Sequence, residues 1–67
     1  MLKVEIGFTA GDIYNLLKKD GPKTIKEIVN EIKADQTISV MAIGWLARED
    51  KIEFYQEGKK KLIKLKE

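Results

Sequence analysis

Six of the chain's thirteen basic residues are lysines in its last quarter: Lys51, Lys59, Lys60, Lys61, Lys64 and Lys66. Against Glu53, Glu57 and Glu67 they give residues 51–67 a net charge of +3, while residues 1–50, with seven cations and eight carboxylates, net −1. A cluster of ammonium groups on a soluble surface is suited to one kind of chemistry above others, the neutralisation of phosphates. If about five of these lysines engage a duplex backbone, affinity falls with salt at a log–log slope near −4 to −5. A second reading makes them guards of an edge strand, where lysines block sheet-to-sheet pairing. Lysine is a point charge without a directional fork, so sequence readout has to come from other residues. The single arginine is Arg48.

Other chemistry finds little support. The chain has no histidine and no cysteine, which removes the commonest general base, thiolate nucleophiles, disulfides and the main soft metal ligands. Its carboxylates, among them Asp12, Asp20, Glu27, Glu31, Asp35, Glu49, Asp50 and Glu53, are scattered among lysines. None stands in an apolar run that would raise its pKa as a general acid requires. Glu27 and Glu31, one helical turn apart, read as a solvated face. No glycine loop is shaped to cradle a phosphate. The expectation is a binding protein and not an enzyme, with no cofactor, no metal and no small-molecule substrate. No apolar run approaches a membrane span, and the N-terminus lacks the form of a signal peptide, so no membrane association and a cytoplasmic location are expected.

The elements that must position these residues follow from periodicity. Sixty-seven residues make one domain, 1–67, and so small a chain needs every element in a single core. Ile6, Ala10, Ile13, Tyr14 and Leu17 share a helical face. That helix starts either at a Thr9 cap or near Lys3, running through Gly7 and Gly11; Asp20-Gly21-Pro22 ends it. Thr24-Ile25-Lys26-Glu27 is a capping box opening a second helix of about ten residues, with Ile25, Ile28, Val29 and Ile32 as its apolar stripe. Lys33-Ala34 makes the turn. Asp35 caps a third helix reaching about Glu49, and Asp50 closes it in place of the glycine that the left-handed conformation favours. Ile52 to Tyr55 then alternates as a half-buried strand, Gln56-Glu57-Gly58-Lys59 turns, and Lys60 to Lys66 alternates again, with Ile63 and Leu65 inward and Leu62 outward.

On the third helix the inward arc holds Ile38, Ser39, Ala42, Ile43, Trp45 and Leu46. Trp45, Leu46, Ile52 and Phe54 are expected to join helix, turn and hairpin in one core. The outward arc offers Gln36, Thr37 and Arg48, with Ser39 at its edge, as base or phosphate contacts. Its middle is Val40, Met41, Gly44 and Ala47, a smooth apolar strip onto which another protein or a second copy could fit. Gly44 alternatively lets the first helix or the hairpin approach closely. Tyr55 faces outward on the wing, where it either stacks on or hydrogen-bonds to nucleic acid or packs on lysine stems. Phe8 opposes the apolar face of any helix running through it, so either that helix starts after Phe8 or Phe8 meets a partner.

Ile6-Gly7 and Ala10-Gly11, Gly21-Pro22, Ile43-Gly44-Trp45-Leu46-Ala47-Arg48-Glu49 and Lys51-Ile52-Glu53-Phe54 together resemble a small family of prokaryotic proteins consisting of little but a winged helix-turn-helix. The likeness covers nearly the whole chain. It implies a mainly α fold, three helices followed by a two-stranded β-hairpin wing. It also implies double-stranded DNA as the default partner, in the manner of a transcriptional regulator. It brings no ligand, because the family has no settled function. Asp50 stands where the family pattern has glycine, and Lys59-Lys60-Lys61 makes this wing more basic than the pattern requires. The expected DNA-binding residues are therefore Gln36, Thr37, Ser39, Arg48, Lys59, Lys60, Lys61 and Lys64. The alternative is a protein-interaction or homodimer surface at Val40, Met41, Gly44 and Ala47.

Overall fold

The computed structural model describes residues 2–66. Its elements run α1 (Leu2–Asp20), β1 (Lys23–Thr24), α2 (Ile25–Glu31), α3 (Gln36–Arg48), β2 (Ile52–Glu57) and β3 (Lys60–Leu65). Helix α1 takes the longer of its two expected courses, through both glycines. Thr9, the alternative cap, lies inside it and is buried. At Gly21 the backbone turns left-handed, φ 84°, while the Gly21 amide donates to the Leu17 carbonyl at 2.9 Å. That closes the helix in the way glycine permits most cheaply.

The capping box forms as its residues dictate. The Glu27 amide donates to Thr24 Oγ1 at 3.1 Å, and the Thr24 amide to Glu27 Oε1 at 2.9 Å. The helix that follows is shorter than expected, seven residues. Lys23 and Thr24 also form a strand, which the sequence reading did not include. They pair antiparallel with Ile63 and Leu62, so the hairpin is part of a three-stranded sheet ordered β1-β3-β2. Two residues of strand are too few to show any alternation. Their effect is clear at Leu62: it faces outward across from Tyr55, yet with Thr24 on its other side it is buried.

One core joins all of this. Ala10, Ile13 and Leu17 of α1 meet Ile28 of α2, Ala42, Ile43 and Leu46 of α3, and Ile52 and Ile63 of the sheet. Trimming the fully buried Ile13 or Ile28 to alanine should cost about 2–5 kcal/mol. Of the four residues expected to join helix, turn and hairpin, two stay outside. Trp45 is 40% exposed and Phe54 56%. Trp45 sits about 60° around the helix from Ala42, on the side away from Leu46 and Ser39, so only part of the indole is covered. Phe54 pairs with the buried Ile63 but stands on β2, the open edge strand of the sheet, so its outer side has no neighbouring strand to cover it.

Helix α3 ends on Asp50, the one non-glycine residue with positive φ (60°) among those described. The Asp50 and Lys51 amides donate to the carbonyls of Ala47 and Leu46, each at 3.0 Å. These bonds satisfy carbonyls that a helix end leaves open and swing the chain directly into β2.

Candidate nucleic-acid interface

The wing is β2, the Gly58–Lys59 turn and β3. Gly58 has φ 64°, and Gln56 Nε2 donates to the Gly58 carbonyl at 3.2 Å, fixing a tight turn with Glu57 opposite Lys60. Lys59, Lys60 and Lys61 are thereby gathered at the tip, all exposed. Among the described residues none of the three takes part in an ion pair, whereas Lys64 and Lys66 both do. Lys64 Nζ lies 3.8 Å from Glu53 Oε1 and 5.4 Å from the centroid of the Tyr55 ring. Lys66 Nζ donates to both oxygens of Asp50, at 2.7 and 2.8 Å. That hydrogen bond, reinforced by the Asp50 charge, raises the Lys66 pKa above 10.5. The wing is thus divided, with three unpaired ammonium groups at its tip and two engaged ones toward its base.

The strand order also bears on the edge-guard reading. The edge open along its whole length is β2, whose sequence Ile52–Glu57 contains no lysine. Apart from Lys23 on β1, the lysines of the sheet lie on β3, the middle strand, with β1 alongside it only at Leu62 and Ile63. On β3, guarding an edge accounts at most for Lys60, Lys61 and Lys64, which lie outside the stretch paired with β1.

On α3 the expected contacts separate. Gln36, Thr37 and Arg48 are exposed, but the first two open the helix and Arg48 ends it, about 18 Å apart along the axis. Asp35 caps the helix as expected, its Oδ2 accepting from the amides of Thr37 (3.0 Å) and Ile38 (3.3 Å). The two amides that a phosphate would otherwise meet are occupied, and a carboxylate stands in front of them. Ser39, expected at the edge of this face, is fully buried among core residues and cannot reach a ligand. Three and four residues before Ala42 and Ile43, it lies on their side of the helix. Its hydroxyl has no hydrogen-bond partner.

The apolar strip is narrower than expected. Val40 and Met41 are 48% and 42% exposed, while Ala47 is half-buried against the core. Gly44 does not serve close approach: a β-carbon there would meet nothing within 4 Å. Elsewhere, α1 presents Val4 and Phe8 to solvent, Phe8 at 74% exposure. A slot of about 310 Å³ between α1 and α3 is lined by Gly7, Gly11, Tyr14 and Trp45, with Glu49 and Lys51 at one end. A second opening, of about 350 Å³, lies between α2 and the wing, with Ile25, Phe54, Leu62 and Ile63 along its walls. Sequence reasoning missed this one because Ile25 and Phe54 both read as core positions. Among the described residues no helix is long and apolar enough to cross a membrane, and no cluster of carboxylates is placed to hold a metal ion.

Comparison with known proteins matches this geometry. The chain is 48% identical over 65 residues to the uncharacterized protein MJ1608 of Methanocaldococcus jannaschii, covering 92% of this chain and 91% of that one. The solution NMR structure of protein BT2368 from Bacteroides thetaiotaomicron superposes with a TM-score of 0.82 at 26% identity, over 97% of this chain and 79% of that one. The family described as winged helix-turn-helix domain (DUF2582) matches residues 1–65. Three helices, a short first strand and a two-stranded wing are the parts of such a domain, and the chain belongs to this family.

Proposed function

We propose that this protein binds double-stranded DNA through the tip of its wing, mainly by contact with the phosphate backbone, as a non-enzymatic module of the kind found in transcriptional regulators. The observation that carries this reading is the cluster Lys59, Lys60 and Lys61, exposed together and without internal ion pairs among the described residues. Sequence readout is slight, because Gln36, Thr37 and Arg48 stand at opposite ends of α3 and its centre is Val40, Met41 and Gly44. With three phosphates engaged in place of five, the salt slope is about −3. The test is fluorescence anisotropy with a random-sequence duplex at several salt concentrations. The reading expects weak binding that follows this slope and is lost in a Lys59→Ala, Lys60→Ala, Lys61→Ala variant. Absence of binding at low salt, or an unchanged slope in the variant, would overturn it.

A second reading rests on Val40 and Met41, whose exposure leaves an apolar patch at the centre of α3 beside a groove of about 590 Å³. On this reading the helix docks a partner protein or a second copy, and DNA is not bound. Val40→Glu should then abolish self-association or partner capture while leaving the circular dichroism spectrum unchanged. A monomer at all concentrations that captures no partner would remove the reading.

A further inference from the structure

Phosphate contact leaves the opening between α2 and the wing unexplained. Ile25 is the first residue of α2 and follows directly on Thr24, which pairs with Leu62. This puts the Ile25 side chain beside the sheet, 44% exposed, facing Phe54, itself 56% exposed. Leu62 and Ile63, both buried, complete a notch of about 350 Å³. That volume is at the low end for binding clefts, suited to one or two bulky side chains and not to a whole helix. Large apolar side chains held open to water in so small a domain mark an interaction surface more than a solvated one. Phosphate oxygens would gain nothing from such walls.

The rim decides what kind of partner fits. Lys61 lies opposite Gln56 on the strand pair, two residues toward the tip from Phe54 and Ile63 and on the same face, and borders the notch. On the far side of Ile25, Lys26 borders a neighbouring groove shared with Val29 and Gln36. The nearest acidic group on α2, Glu27, is committed to the Thr24 amide. Glu57 is on the other face of the ladder, opposite Lys60. One cation, Lys61, therefore lines the notch itself, and a second, Lys26, stands beside the adjoining groove that shares Ile25.

We infer that this notch is a docking site for a short acidic protein segment, one that inserts a large apolar side chain between Ile25 and Phe54 and places carboxylates against Lys61 and Lys26. The inference does not rest on DNA binding. Because Lys61 borders the notch and belongs to the wing-tip cluster, a segment seated there competes with duplex for that lysine.

The test uses the full chain, free of DNA, and amide chemical shifts during titration with three synthetic peptides. The first carries one phenylalanine flanked by aspartates; the second has alanine in place of the phenylalanine; the third has lysines in place of the aspartates. Shifts centred on Ile25, Phe54, Gln56 and Lys61 are expected with the first. The second and third should bind about tenfold or more weakly, the scale set by burying one large apolar side chain. Lys61→Glu, a surface change that leaves the core untouched, should weaken the first peptide and spare the fold. Ile25→Ser should do the same from the apolar side. Equal binding of the alanine or lysine peptide, or shifts centred on α1 and Trp45, would overturn the proposal, as would no shifts at millimolar peptide. Random duplex is titrated separately. If it perturbs Ile25 and Phe54 as strongly as the acidic peptide does, the notch is part of a nucleic-acid surface and the proposal falls. Failure to bind duplex bears only on the wing-tip reading.

Discussion

Lys66, just past the last strand, grips with both hydrogen bonds the carboxylate of Asp50, the residue that ends the third helix with a left-handed backbone. The Lys66 amide also donates to the Lys51 carbonyl at 2.9 Å. Helix end and wing base are therefore tied at two points.

Two substitutions at this position separate backbone strain from the ion pair. Asp50→Gly and Asp50→Ala both remove the carboxylate, but only alanine keeps a β-carbon in the left-handed region. The glycine variant should be more stable than the alanine variant by about 1 kcal/mol, as read by urea denaturation. Equal stabilities would show that the turn relaxes out of its left-handed conformation once the carboxylate is gone.

Stability should respond to pH at both extremes and be flat between. The Thr24 amide, as hydrogen-bond donor, holds the Glu27 carboxyl below 4.5. A lowered folded value contributes stability that is full above pH 4.5 and is lost as pH falls through the folded pKa. Lys23, bonded to Glu31 at 2.7 Å, and Lys66, bonded to Asp50, are raised above 10.5; their contributions are full below that pH and are lost as pH rises through the raised values. Melting temperatures measured across the range should trace a plateau with two falling limbs. Glu27→Gln, which keeps an acceptor for the cap without titrating, should flatten the acid limb.

Ser39→Ala should be neutral or stabilising, by up to about 1 kcal/mol, because the hydroxyl is buried without a partner and alanine is the better helix former. The same variant should leave any duplex affinity unchanged, since the side chain is inaccessible. Chemical denaturation and anisotropy measure the two parts, and a loss of more than about 1 kcal/mol would mean the hydroxyl is bonded after all.

Gly44→Ala and Gly11→Ala should each stabilise the fold by about 1 kcal/mol, the helix-propensity difference, since nothing lies within 4 Å of either added β-carbon. A destabilised Gly11→Ala would show that α1 packs closely against another molecule, which sedimentation at two concentrations would detect.

Much of this architecture was legible in the residues. The Thr24–Glu27 box, the Asp35 cap, the Gly21 stop and the alternation of the wing are local features. Each is set by side chains within a few positions of one another, so spacing alone carries them. The candidate site was legible in part. The lysines of the wing are where alternation places them, but their division into engaged and unengaged groups depends on Asp50, Glu53 and Tyr55, and only pairing register brings these into reach.

By itself, then, the sequence determined the order and kind of the main elements, the positive wing and the absence of imidazole and thiol chemistry. Tertiary structure decided what is buried. A helical wheel ranks positions by angle, but burial depends on whether a second element arrives to cover them. The wheel put both Ser39 and Trp45 on the inward arc, yet Ser39 is fully buried and Trp45 stayed half-open because α1 and the sheet cover one side of α3 more than the other. The two-residue strand β1 covered Leu62, and Ile25 and Phe54, equally apolar, were left facing each other across an open notch. Non-local packing of this kind has no signature in spacing, and it places the candidate docking surface where no periodicity pointed.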